Sequence, residues 1–396
     1  MKKLHLWPES PVEKGDTLTL AVTLEHQKEI RKLVYEVPIE QKIAVTDSCD
    51  PYVVATILLA MSLSADIVVH GRLSPSLLDN LNEFQSAWHC WQRDLTPVKI
   101  IANQLSEASA AVNNQAIVAF SGGVDSCFSL YRHHASQAIT DQQQVSGALM
   151  VHGFDIPYNQ KEIFQKAAVG ARSIVESLPG VRFISVATNF RWVVPYGWPG
   201  TALKWEIVYG TALAAALMLF QAQYRIGLMG SSLPYNDLIL PWGSNPITDP
   251  MLSNRSFQLI HDGAGFNRLE KVAAIAHWSA ALNHLRVCWQ GENLAKNCGK
   301  CEKCIRTILN FKVNGIDCPP AFEQDVSEAK IQALQRIGKV PLTTELQPIL
   351  EAANAKANHE PWVRALRQTI QKSHRYWEIK KFKQTIKSLV TSSKRP

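Results

Sequence analysis

Ala116-Ile-Val-Ala-Phe-Ser-Gly-Gly-Val-Asp-Ser126 runs from an apolar stretch into two glycines and out into an amphipathic one. Ala116 to Phe120 has the length and character of a buried strand. Gly122-Gly123 breaks it, where the backbone can take φ > 0 and approach a ligand closely. Beyond, Val124, Cys127, Phe128, Leu130 and Tyr131 fall on one helical face. Strand, Gly-Gly loop and helix start together make an anion cradle, in which first-turn N–H groups and the hydroxyls of Ser121 and Ser126 hold phosphate oxygens. No Gly-Lys-Ser/Thr follows, which excludes a Walker A loop.

The same alternation continues downstream. Val145–His152, Val181–Val186 and Arg225–Gly230 read as strands, and Lys161–Leu178 and Thr201–Ala222 as helices. Repeated βα units predict a doubly wound parallel sheet with its ligand at the strands' C-terminal ends. Ser121, Phe154-Asp155, Thr188-Asn189 and Gly230-Ser231 would gather on that edge.

Upstream, Leu18–Leu24 and Lys32–Val37 alternate like paired strands, Ile43-Ala-Val45 and Ala65–His70 read as strands, and Tyr52–Leu63 as a helix. Ser74 caps a further helix with Pro75 in its first turn. This predicts a smaller N-terminal α/β domain, residues 1–112, with its own small sheet. His70, Arg72, Trp88 and Trp91 read there as packing or docking residues.

At 396 residues, 46% hydrophobic and 19% charged, the chain has the composition of a soluble globular protein with two or three units. Tyr52–Leu63 and Ile207–Phe220 are apolar, but both fall short of a membrane span. The net charge of +7 is unevenly placed: residues 361–396 hold ten Lys or Arg against Glu378, leaving 31 basic and 33 acidic side chains elsewhere. A general nucleic-acid surface is thereby excluded from the body, though not from the tail. From about Ser327 the chain reads as helical, with Trp362, Leu366, Ile370, Trp377, Ile379, Phe382, Ile386 and Leu389 at helical spacing between basic residues. Such a tail suits RNA, a protein partner, a membrane surface or packing on the body.

A second signal is Cys288-Trp-Gln-Gly and then Cys298-Gly-Lys-Cys301-Glu-Lys-Cys304. Thiolates at this spacing can close round one tetrahedral Zn²⁺, leaving no position for water, so the metal would be structural. An iron–sulfur cluster is the other metal such a set could hold. Four clustered cysteines among eight, with no secretion signal, predict a reducing, cytoplasmic setting.

Ser121-Gly-Gly-Val-Asp-Ser126 resembles the PP-loop of the ATP pyrophosphatases. With the Cys-aromatic-x-Gly and Cys-Gly-x-Cys-x-x-Cys pattern, residues 115–318 resemble the 7-cyano-7-deazaguanine synthase (QueC-like) group. The resemblance implies a PP-loop (HUP-like) ATP pyrophosphatase domain over 113–320 with a Cys288, Cys298, Cys301, Cys304 zinc subdomain, and the helical basic region read above then occupies 321–396. It implies ATP and Mg²⁺ held around Phe120, Ser121, Gly122, Gly123, Val124, Asp125 and Ser126, with Asp155, Gly230 and Ser231 nearby. Ser121, Asp125 and Ser126 would act on the reacting phosphates, with Arg268 and Lys204 as cations for pyrophosphate.

The implied reaction adenylates a carboxylate of the 7-carboxy-7-deazaguanine kind and joins it to ammonia or a protein amine as amide or nitrile. Where the family has Pro-Gly-Arg-Asn and Tyr-Pro-Asp-Cys-Arg, this chain has Trp198-Pro-Gly-Thr201 and Pro234-Tyr-Asn-Asp237, so substrate identity carries over least. Residues 233–268 read as a Gly-, Asn- and Pro-rich lid in which Asp237, Asp249, His261, Asp262 and Arg268 could meet substrate. A tRNA-modifying enzyme using the basic tail, and a non-catalytic nucleotide sensor, are other functions compatible with the sequence, as is a homodimeric state.

Overall fold

The structure is a computed structural model and describes residues 2–109, 111, 114–134, 144–201, 203–334, 338 and 342–392, the side chains of 343 and 382–392 excepted. The chain divides into two compact units, Met1–Phe266 and Asn267–Pro396.

The first unit is built on one eleven-stranded sheet. Its N-terminal part comprises β1 (Lys2–Pro8), β2 (Val12–Lys14), β3 (Thr17–His26), β4 (Glu29–Pro38), helix α1 (Asp50–Leu63), β5 (Ala65–Leu73), α2 (Pro75–Trp91) and β6 (Ile100–Leu105). The α/β alternation follows as β7 (Ala116–Ala119), α3 (Val124–Arg132), β8 (Val145–His152), α4 (Lys161–Glu176), β9 (Arg182–Thr188), a short α5 (Phe190–Val193), α6 (Trp205–Met218), β10 (Ile226–Gly230) and β11 (Gln258–Asp262). The strand order is β11-β10-β7-β8-β9-β4-β3-β1-β5-β6, with β2 beside β3.

Residues on both sides of position 112 therefore share a sheet. Tyr35 of β4 pairs antiparallel with Thr188 of β9, so the N-terminal strands extend the downstream sheet rather than form a small one of their own. β11 lies inside the segment read as a lid, and Ile43-Ala-Val45 stays outside the sheet, where Thr46 N–H donates to Leu219 O at 2.8 Å.

From β11 to β9 all neighbours are parallel. The chain moves outward through β7, β8 and β9, then returns to the other side of β7 as β10 and β11. The order thus reverses between β7 and β10, and a crevice outside the C-terminal ends of those two strands is where open α/β sheets bind ligands.

Helices α1 and α6 are apolar around most of their circumference and buried accordingly. Asp50, fully buried at the start of α1, ties three segments together: it accepts from Ser74 N–H (2.9 Å), Ser74 Oγ (2.6 Å) and Asn254 Nδ2 (2.7 Å). Ser74 occupies the cap position of α2 as expected, but its hydroxyl is spent on Asp50 rather than on the helix. No helix among the described residues is long and apolar enough to cross a membrane.

The second unit carries α7 (Arg268–Ile275), α8 (Ser279–His284), α9 (Glu302–Val313), α10 (Glu328–Gln332), α11 (Gln347–Ala355) and α12 (Pro361–Ser392). α7 and α8 are parted at Trp278, whose backbone is extended. Trp362, Val363, Leu366 and Ile370 bury the start of α12, whereas Tyr376 and Ile379 are exposed and Lys380 Nζ lies 4.5 Å from the Trp377 ring centre. Phe382, Ile386 and Leu389 fall outside the described side chains.

Candidate functional site

The Gly-Gly loop follows β7 at the reversal point. Phe120 N–H donates to Leu149 O (2.7 Å), carrying the sheet bonding one residue past the strand. Gly122 then takes φ +75°, a left-handed conformation that a side chain would strain, and Gly123 caps α3 in extended conformation. Ser126 Oγ donates to Gly123 O (3.1 Å) and accepts from Ser121 N–H (3.2 Å), while Ser121 Oγ accepts from Gly123 N–H (3.3 Å). These bonds close the loop on itself and fix the first turn of α3, whose N–H groups have no acceptor within the helix.

The expected residues have different stations. Ser121 is exposed, Gly123 and Asp125 are half-buried, and Ser126 is buried, its hydroxyl stitching the loop. Phe120 and Val124 are core side chains, so only their backbone is available to a ligand. Cys127, the thiol nearest the loop, is fully buried; burial, with Asp125 second, pushes it up, so it is no nucleophile.

Gly230 ends β10 beside α3: a Cβ there would lie 3.2 Å from Asp125 O and 3.3 Å from Ser129 Oγ. Ser231 is fully buried, with its N–H on Asp262 O (2.7 Å) and its hydroxyl on Leu233 O. Asp155 is exposed just beyond the end of β8, and Lys204 is the cap residue of α6, the helix that descends from this same edge to β10. Thr188 is buried, and Asn189 bonds the β4 backbone (Val34 N–H at 3.0 Å, Lys32 O at 2.8 Å), so this pair joins strands instead of facing the crevice. Arg268 belongs to the second unit, where it faces Glu345 (3.5 Å), itself paired with Arg306 at 3.0 Å.

Asp262, read from sequence as one loop residue among several, is the hub behind the cradle. It is 5% exposed at the end of β11 and accepts from Ser129 Oγ (2.6 Å), His133 Nε2 (2.8 Å) and Arg132 Nη1 (3.2 Å). Burial pushes its carboxyl up, but the bonds from His133 and Ser129 and the Arg132 charge outweigh that and hold it below the usual carboxylate range. The carboxylate thereby fastens α3, and the loop at its head, to the sheet.

The supposed lid is anchored. Gly243 N–H donates to Glu206 O (2.9 Å), and a Cβ on Gly210 would fall 1.8 Å from Gly243 O, so backbone meets backbone there. Upstream, Trp88 is fully buried, Arg72 pairs with Asp47, and His70 stacks on Trp7 and bonds His5 at 2.8 Å.

In the second unit the ligand atoms of Cys288, Cys298, Cys301 and Cys304 all lie within 4.8 Å of one another, with Cys288–Cys301 at 3.8 Å and Cys298–Cys304 at 3.9 Å. A Zn–S bond of about 2.3 Å puts tetrahedral sulfurs about 3.8 Å apart, so the set fits zinc. Gly299 at φ +63° turns the knuckle, and Cys301 N–H points to Cys298 Sγ at 3.3 Å. Asn297, which the cysteine spacing does not reveal, clips the halves together: Oδ1 accepts from Val287 and Cys288 N–H, and Nδ2 donates to Leu285 and Ala321 O.

Comparison of the chain with family models, with curated proteins and with solved structures found no match.

Proposed function

We propose that this chain is an ATP pyrophosphatase of the QueC-like kind, which adenylates a carboxylate and passes the acyl group to an amine. The observation that carries the reading is the self-bonded Ser121–Ser126 loop at the reversal of strand order, heading α3. The substrate carboxylate oxygen attacks the α-phosphate of ATP, the bond to the bridging oxygen breaks, and pyrophosphate departs. Loop and first-turn amides offset its charge, Asp125 and Asp155 offer oxygens to a cation, and Lys204 offers a positive charge on the same edge. Mg²⁺ held there would neutralise the polyphosphate. The amine then adds to the acyl carbon and AMP leaves. Cys288, Cys298, Cys301 and Cys304 would hold Zn²⁺ as a structural staple.

Asp125→Ala tests the assignment. AMP formation should fall by at least about 100-fold, the scale of losing one preorganised electrostatic group, with the folded state retained. Unchanged turnover would remove the loop from the chemistry.

Exposed Tyr376, Ile379 and Lys380 on α12 favour a second reading, contact with tRNA. Salt-sensitive tRNA binding that is lost when residues 376–396 are deleted would support it.

A further inference from the structure

A recess opens immediately beyond β10, lined by Ser232, Leu233, Leu238, Trp242, Asn245 and His261 among others, and its enclosed part has room for one water-sized molecule. Ser232 stands two residues after Gly230, which abuts Asp125; two residues span at most about 7 Å, so the recess is a neighbour of the cradle.

Its polar groups are set in a particular way. Asp249 is fully buried and accepts from Ser244 Oγ (2.6 Å), Asn245 N–H (3.1 Å) and His261 Nδ1 (2.7 Å). An ionised carboxylate only accepts, so Nδ1 of His261 carries a proton, and in the uncharged tautomer this fixes, Nε2 keeps its lone pair. The Trp242 ring is held edge-on to Tyr209, and its Nε1–H is buried with no acceptor among the described residues. A buried donor without an acceptor points to a partner supplied from outside the chain.

We infer that this recess holds ammonia, the amine of the second half-reaction, and that His261 is its general base. The inference rests on the adenylation reading above. Ammonia has the size of water. Its lone pair accepts from Trp242 Nε1–H, which ammonium, having no lone pair, cannot satisfy, and its N–H bonds face an acceptor in His261 Nε2. When ammonia leaves Trp242 and adds to the acyl-adenylate carbon, a C–N bond forms. The C–O bond to AMP then breaks with its electron pair leaving on the phosphate, and the surplus proton on nitrogen passes to His261 Nε2. Asp249 orients the ring and stabilises the imidazolium that results. Leu233 and Leu238 keep the enclosed volume small, which disfavours a bulkier amine.

The test uses the full chain with ATP, Mg²⁺, 7-carboxy-7-deazaguanine and ammonium chloride, following pyrophosphate and amide separately in single turnovers. His261→Gln should release pyrophosphate at the wild-type rate, reporting an intact fold, while amide formation falls about 100-fold or more. Trp242→Phe, which keeps the ring and deletes the donor, should raise the ammonia KM about tenfold with kcat retained. Equal loss of both steps in His261→Gln, or undiminished amide formation, would overturn the role of His261. AMP and returned carboxylate without amide in the wild type would mean that the recess holds water instead. No pyrophosphate from the wild type would overturn the adenylation reading itself, and the ammonia site with it.

Discussion

Asp262→Asn is the substitution on which the account of the cradle leans most. The side chain is 5% exposed and accepts from Ser129, His133 and Arg132, the last a permanent positive charge. Asparagine keeps the shape and one acceptor but turns an NH₂ toward donors. Breaking a buried pair from one side costs about 3–5 kcal/mol, and the retained acceptor puts this case near about 3 kcal/mol. With a urea dependence of about 3 kcal/mol/M, the unfolding midpoint should fall by about 1 M at neutral pH. The amides of α3 should lose hydrogen-exchange protection before those of β8 and β9.

The pH dependence has a fixed sign. The folded carboxyl is held below its unfolded value of about 3.9, so its contribution is complete above that value and disappears as pH falls through the folded one. Wild type and variant should therefore converge in stability below about pH 4. A loss under about 1 kcal/mol at neutral pH, or a gap unchanged down to pH 3, would refute the hub.

Three further outcomes follow from the geometry. Asn297→Ala removes the clip between the two halves of the cysteine cluster, so zinc affinity should fall about 10–100-fold in competition with a chromophoric chelator; unchanged affinity would show that the cysteines position themselves. Gly122→Ala forces a side chain to φ +75° at a cost of about 1–2 kcal/mol, and ATP binding measured by calorimetry should weaken with it; a variant that is both as stable and as tight would exclude that loop conformation. Gly210→Ala drives a methyl to within 1.8 Å of Gly243 O, so the 233–257 segment should become protease-sensitive; a protected segment would mean that it is not docked on α6.

What was legible in the sequence was local. Ala116–Ser126 showed its strand, glycine turn and helix because apolar length, φ requirement and helical spacing sit side by side, and Cys298-Gly-Lys-Cys301-Glu-Lys-Cys304 showed its cluster because three ligands fall within seven residues. The sharing of one sheet was not legible, since it depends on Tyr35 and Glu36 meeting Thr188 and Ala187, a pairing written in neither segment alone. β11 escaped because Gln258-Leu-Ile-His-Asp262 is short and half polar, and becomes a strand only against β10. Asp262 and Asp249 looked alike as loop acids. Burial distinguishes both from the rest, and their partners distinguish them from each other: α3 donors for Asp262, a histidine and a loop serine for Asp249. Arg268 seemed suited to pyrophosphate by its charge, yet Glu345, far along the chain, already faces it.

The measurement that bears most directly on the central claim is release of AMP and pyrophosphate from ATP and Mg²⁺ by the purified chain, with ammonia present, with and without 7-carboxy-7-deazaguanine. AMP and pyrophosphate formed in equal amounts only when the carboxylate is added is the predicted result. ADP and phosphate, or no consumption of ATP, would contradict adenylation at the Ser121–Ser126 loop.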